Sequence, residues 1–166
     1  MKIKFTIAIA LCLTVSSGLK AQTFTKILTG AVVTDGSASF GSSWIDLDQD
    51  DDLDLFVSNV YYQHDRLCIN NGNGTFTQIT TGSIVNDGKY SYNTTWGDYD
   101  NDGFEDVFVA NGDWNGSNTN TLFHNNGNGT FTQITTGPVV TDIGIGIGSS
   151  WADYDNDGYV DLFVCE

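Results

Sequence analysis

Residues 98–109 read DYDNDGFEDVFV, and two other stretches restate them: DLDQDDDLDLFV at 46–57 and DYDNDGYVDLFV at 153–164. In all three, Asp holds loop positions one, three, five and nine, and a tryptophan (Trp44, Trp96, Trp151) stands two residues before the first Asp. Upstream, FTQITTG occurs at 76–82 and 131–137, with a looser copy, FTKILTG, at 24–30; each terminal Gly lies fourteen residues before its tryptophan. The turn sequence NNGNGTF occurs at 70–76 and 125–131. The tryptophans are 52 and 55 residues apart, the extra three residues falling around 111–120. A period near 50 with this self-similarity indicates a propeller, solenoid or array.

Within one repeat the segments FTQIT, SYNTTW, DVFVAN and NTLFHN are short, rich in Thr, aromatic and β-branched residues, and separated by Gly, Asn and Asp. They predict strands. Nothing after residue 22 has the three-and-four apolar spacing of an amphipathic helix. Four short strands per repeat make a propeller blade; a parallel β-helix, the alternative, uses shorter rungs. The expected fold is therefore all-β, a set of β-propeller blades built as four-stranded antiparallel meanders. The repeats run 24–75, 76–130 and 131–166, the third lacking its last strand and its NNGNG turn. That is about two and a half blades, so further blades are expected downstream.

Carboxylates two residues apart alternate sides of an extended chain, and converge only if the chain wraps around something. Gly103 and Gly158 at position six permit that sharp turn. Converging carboxylates repel unless a cation neutralises them, and a hard ion taking 6–8 oxygen ligands suits such a loop: Ca²⁺ rather than the more strictly octahedral Mg²⁺. No His or Cys lies in the loops, which disfavours zinc and softer metals. An EF-hand is excluded, because position twelve is Val57, Val109 or Val164 inside strand patterns rather than a bidentate Glu. The competing reading, solvated acidic hairpin turns, fits one such loop better than three in register.

The Phe40–Gly41 pair, the three Asp-rich runs and LFHNNGNGTF at 122–131 resemble FG-GAP/VCBS-type repeats, the blades of integrin-α-like β-propellers and of many secreted bacterial proteins. The resemblance spans residues 24–166. It implies one Ca²⁺ per acidic loop, up to three. The implied ligands are Asp98, Asp100, Asp102 and Asp106 with the Phe104 carbonyl in the second loop, and Asp153, Asp155, Asp157 and Asp161 with the Tyr159 carbonyl in the third. In the first loop Asp46, Asp48, Asp50 and Asp54 match, but Asp51 replaces the glycine. The GAP element is missing, with SNV at 58–60 and ANG at 110–112 in its place.

The segment 1–21 has a basic start (Lys2, Lys4), an apolar run from Phe5 to Val15 and a small residue, Ala21, before Gln22. This is the pattern of a secretory signal peptide, and the run is shorter than the roughly 18–20 residues that span a bilayer. Removing it leaves residues 22–166 with 3 basic and 21 acidic residues, a net charge of −18 against −15 for the whole chain. Fifteen of the acids sit in the three loops. Such a surface excludes nucleic acid as an expected partner and disfavours anionic membranes. With 40% hydrophobic and 13% aromatic residues the chain can still bury a core. Cys68 and Cys165 are expected as small buried hydrophobes.

In a meander the acidic loops and NNGNG turns share one end of the blades. The other end carries Tyr61, Tyr62, His64 and Trp114, with Tyr90 and Tyr92 in a connection; aromatics beside amides suit stacking on a sugar or anchoring a protein. The same rings could instead pack between blades. Trp44, Trp96 and Trp151 are expected in the core, and His124, in a repeated strand, as structural. No catalytic constellation is visible. The expectation is a secreted or cell-surface, calcium-binding, non-catalytic binding or adhesion module for an extracellular protein or carbohydrate. The alternative is the propeller part of a secreted polysaccharide-acting enzyme.

Overall fold

A computed structural model describes residues 25–33, 36–113, 115–116 and 118–166, so the expected signal peptide and Trp114 lie outside the described residues. Strands β1 (Ser39–Ile45), β2 (Asp54–Asn59), β3 (Arg66–Asn70) and β4 (Phe76–Ile79) pair in sequence order as an antiparallel four-stranded sheet. Strands β5 (Ser91–Gly97), β6 (Asp106–Asn111), β7 (Thr121–Asn125) and β8 (Phe131–Ile134) repeat it. Strands β9 (Gly148–Ala152) and β10 (Asp161–Cys165) form a third, two-stranded sheet. These are propeller blades, as the strand spacing predicts. The sheet and the sequence repeat are out of phase: a repeat cut at Phe76 starts a new unit with FTQI, whereas Phe76–Ile79 closes the first sheet by pairing with β3.

The blades pack face to face through their middle strands. Along β6 every residue is buried, and the two-residue pleat sends alternate side chains to opposite neighbours. Val107 and Val109 join Phe56, Leu67 and Phe123 in one core between the first two blades; Phe108 and Ala110 join Leu122 and Val140 against Trp151, Leu162 and Val164 in the next. Each fully buried side chain of this size contributes about 1.5–3 kcal/mol. After each TTG a short turn plugs the core from outside: a 3₁₀ turn at Ser83–Val85 burying Ile84 and Val85, and one helical turn, α1 (Pro138–Thr141), burying Val140. Periodicity cannot reveal elements so short; Pro138 at the start is the local signal.

The tryptophans explain the repeat's most regular spacing. Trp96 packs edge-on against Phe56 of the preceding blade at 5.9 Å, and Trp151 against Phe108 at 6.5 Å. The Trp96 indole N–H donates to Ser43 Oγ across the blades at 2.8 Å, and that of Trp151 to the Thr95 carbonyl at 3.3 Å. Trp44 departs from the expected core position: it is 56% exposed, because no described sheet precedes β1, and its aromatic neighbour is Phe76 of its own blade, at 6.3 Å. Gly41, the glycine of the Phe40–Gly41 pair, is required by packing. A Cβ there would stand 2.6 Å from the Tyr92 carbonyl oxygen of the next blade. Cys68 is buried as expected, but Cys165 is exposed on β10, where no third strand covers it, and no disulfide joins the two.

Candidate metal centre

Each acidic loop connects the first two strands of its blade, and its aspartates divide into two kinds of work. The position-one carboxylate caps the turn with both oxygens. Asp98 accepts the Asp102 and Gly103 N–H groups at 3.0 and 2.9 Å, Asp46 those of Asp50 and Asp51 at 3.1 and 3.2 Å, and Asp153 those of Asp157 and Gly158 at 3.1 Å each. The position-nine carboxylate ties the loop's start to its end. Asp54, Asp106 and Asp161 accept the N–H of Leu47, Tyr99 and Tyr154 at 3.1, 3.2 and 3.0 Å. In the two complete blades that carboxylate also accepts the first N–H of the NNGNG region, Asn70 to Asp54 at 2.7 Å and Asn125 to Asp106 at 2.8 Å. The acidic loops and the NNGNG turns therefore share one end of the blade.

The backbone turns as the spacing requires. Position six is left-handed in all three loops: Gly103 at φ 93°, Gly158 at φ 90°, and Asp51 at φ 70°, a conformation Asp tolerates better than most residues. Position four is left-handed as well, at Gln49, Asn101 and Asn156 with φ of 61°, 59° and 60°. Asn at position four of two loops was the sequence signal for this second turn, since Asn is enriched in that region.

These turns gather the carboxylates. Ligand atoms of Asp46, Asp48 and Asp50 lie within 4.8 Å of one another, as do those of Asp98, Asp100 and Asp106, and those of Asp153, Asp155 and Asp161. Asp54, Asp102 and Asp157 are outside these groups. The position-five residues Asp50, Asp102 and Asp157 accept the position-seven N–H of Asp52, Phe104 and Tyr159 at 3.0, 2.9 and 2.9 Å. Successive loops are chained across the blades: Gln49 Nε2 donates to the Gly103 carbonyl and Asn101 Nδ2 to the Gly158 carbonyl, each at 3.0 Å.

Comparison with protein families follows the same units: the FG-GAP-like repeat matches residues 46–109 and again 98–164. The chain belongs to the FG-GAP-like repeat family. Comparison with curated proteins finds no match.

Gathering anions in an FG-GAP-like loop raises their proton affinity. Burial pushes the Asp106 carboxyl up to about 6 against the pull of its two N–H partners, and the neighbouring Asp100 adds to the rise. Asp54 is raised by burial too, and Asp48 by burial and then by Asp50 and Asp46. Oxygen donors of this kind fit a hard divalent cation; the acidic clusters could hold a metal ion.

Sequence reasoning assigned His124 no part in this centre. The pairing of β7 with its neighbours brings His124 Nδ1 to 3.2 Å from Asp106 Oδ1 and 3.3 Å from Asp100 Oδ2, with Nε2 3.8 Å from Asp102 Oδ2. Asp100, Asp102 and His124 form a further potential ligand group. The signal was comparative: His124 and Ile69 each precede the Asn that opens NNGNG, so only the second loop gains a nitrogen.

At the opposite end, Tyr62 meets Tyr90 edge-on at 4.5 Å, Tyr61 meets Tyr90 at 5.7 Å, and Phe40 meets Tyr92 at 4.9 Å. Phe40, Tyr61, Tyr90 and Tyr92 line, with Ile145 and Ile147, a cleft of about 490 Å³. Tyr61 and Tyr62 are both left-handed, at φ 63° and 58°, a conformation that costs on the order of 1–3 kcal/mol in a non-glycine residue. The Tyr62 hydroxyl donates to Asp113 Oδ2 at 3.2 Å. Tyr62 and His64 line a second cavity instead, with Asp65 and Arg66.

Proposed function

We propose that the chain is a secreted, calcium-binding, non-catalytic module that holds an extracellular carbohydrate or protein in the aromatic cleft, with calcium in the acidic loops stiffening each blade. The supporting observation is the division of the blades into two ends. One end gathers carboxylates whose charge needs a counter-ion. The other presents Tyr61 and Tyr62, 65% and 55% exposed, on strained backbone beside an apolar cleft. Exposed aromatic rings at a cleft suit stacking on a sugar or anchoring a partner. The acidic carboxylates are occupied in shaping turns, which supports a binding role over an enzymatic one. Among the described residues no helix is long and apolar enough to cross a membrane.

Retention on an array of immobilised glycans and matrix proteins tests this reading. Binding should require calcium and fall at least tenfold on Tyr61→Ala with the melting temperature unchanged. Retention that Tyr61→Ala leaves intact would place the ligand elsewhere.

A further inference from the structure

The end of the first blade away from the acidic loops holds a second, separate set of oxygens. In each complete blade the second strand ends in an Asn whose N–H donates to a side chain just before or at the third strand: Asn59 to Asp65 Oδ1 at 2.8 Å, Asn111 to Asn120 Oδ1 at 2.9 Å. In the second blade this joint is built from neutral groups. Asn111 Oδ1 accepts from the Ser91 hydroxyl at 3.1 Å, and Asn111 Nδ2 donates to Thr121 Oγ1 at 2.9 Å.

The first blade has a carboxylate, Asp65, where the second has the Asn120 amide. Asn59 is 0% and Asp65 2% exposed. Asn59 Nδ2 donates to the His64 carbonyl, but Asn59 Oδ1 and Asp65 Oδ2 are buried with no hydrogen-bond partner. Asp87, from the connection leading to β5, adds two more buried carboxylate oxygens; the backbone N–H groups of Lys89 and Gly88 and the nearby His64 favour its charge, but none meets those oxygens in hydrogen-bond geometry. Asp87 is also the neighbouring charge that acts on Asp65. The cations nearby are engaged elsewhere. Lys89 favours the Asp87 charge from a distance while its ammonium donates to the Thr119 carbonyl and Thr121 Oγ1, each at 2.9 Å. Arg66 donates to the Ala31 carbonyl and to Gln78 Oε1.

The Ser91 hydroxyl favours the Asp65 charge, yet these buried oxygens stay short of hydrogen bonds, and that favours a positive charge among them. None of these oxygens is reached by solvent, so an amine on a partner's side chain is too large to reach them, whereas a bare ion is not. Asp65 also lines a cavity of about 480 Å³ with Gln63 and His64, which has room for waters completing an ion's shell. Two carboxylates and an amide oxygen form a hard, doubly negative donor set, which matches Ca²⁺ rather than a metal preferring nitrogen or sulfur. We propose that Asn59, Asp65 and Asp87 form a calcium site at the junction of the first two blades, independent of the three acidic loops.

Burial and Asp87 push the Asp65 carboxyl up to about 8 when only protons are available, so a proton is the competing occupant. Calcium bound per chain, measured by equilibrium dialysis at pH 7.5 on the full chain, separates the two. Asp65→Asn, which installs the second blade's residue, should bind one calcium fewer than the parent; Asp87→Asn should do the same if Asp65→Asn fails to fold. Equal stoichiometry in parent and variant, with a protonated-acid carbonyl stretch that disappears in Asp65→Asn, would overturn the proposal. Loss of the acidic-loop sites would instead show as Asp98→Asn and Asp153→Asn without effect, while Asp65→Asn still removes one ion.

Discussion

Replacing Asp106 by Asn should cost far more than the same change at Asp161, although the two hold the same loop position. Asp106 is fully buried and its two oxygens accept the N–H groups of Tyr99 and Asn125. An amide keeps one acceptor and turns an NH₂ toward the other donor. That leaves one buried N–H without a partner, at about 1–3 kcal/mol. For a chain of this size each kcal/mol lowers Tm by about 2–4 °C, so Asp106→Asn should melt about 2–12 °C below the parent in chelator at pH 5, where the Asp106 carboxyl is mostly protonated and the change relieves no buried charge. Asp161 is exposed and accepts one N–H, from Tyr154; water replaces that bond, and Asp161→Asn should shift Tm by less than about 2 °C. Calcium at about 100 times its Kd adds roughly 2.7 kcal/mol per site to the parent, widening the gap for both variants. Thermal unfolding followed by tryptophan fluorescence, with and without calcium, reads all four numbers. Equal Tm values for the two variants in chelator would refute the assignment of Asp106 as a structural bridge between loop and NNGNG turn.

Three other outcomes follow from the same contacts. His124→Ile, which copies the first blade, should cost no more than about 1 kcal/mol in chelator, because a partly exposed ion pair contributes little; urea unfolding checks it, and a larger loss would give His124 a greater role. Gly97→Ala should destabilise by about 1–3 kcal/mol, since its Cβ would stand 2.8 Å from Trp151 Cγ across the blades; an unchanged unfolding midpoint would contradict that packing. In calcium-free protein Asp106 binds its proton more tightly folded than unfolded, so its contribution to stability is complete below about pH 4 and is lost as pH rises through about 6. Melting in chelator from pH 4 to pH 7 should show that fall, and Asp106→Asn should flatten it.

The fold was legible because its signals are local and repeated. Asp spacing, NNGNG turns and β-rich runs act within a few residues, and each recurs in register. What was not legible depends on neighbours that no local pattern encodes. Trp44 has the sequence setting of Trp96 and Trp151 but lacks a described preceding blade, so it is exposed. FTQI reads as the start of a repeat because it lies before the tryptophan in sequence, whereas hydrogen bonding to β3 and β7 makes it each blade's last strand. The aspartates' roles were half legible: spacing indicated convergence, but not that positions one and nine spend their oxygens on backbone N–H groups. No repeated motif contains Asp65, and only the folded chain shows it buried with the charge of Asp87 acting on it.

The central claim, that the acidic loops are calcium sites holding the blades rigid, is tested most directly by chelator titration of the melting curve. The account predicts that removing calcium lowers Tm by several degrees and that calcium, but not equimolar magnesium, restores it. A melting curve unchanged by chelator would contradict it.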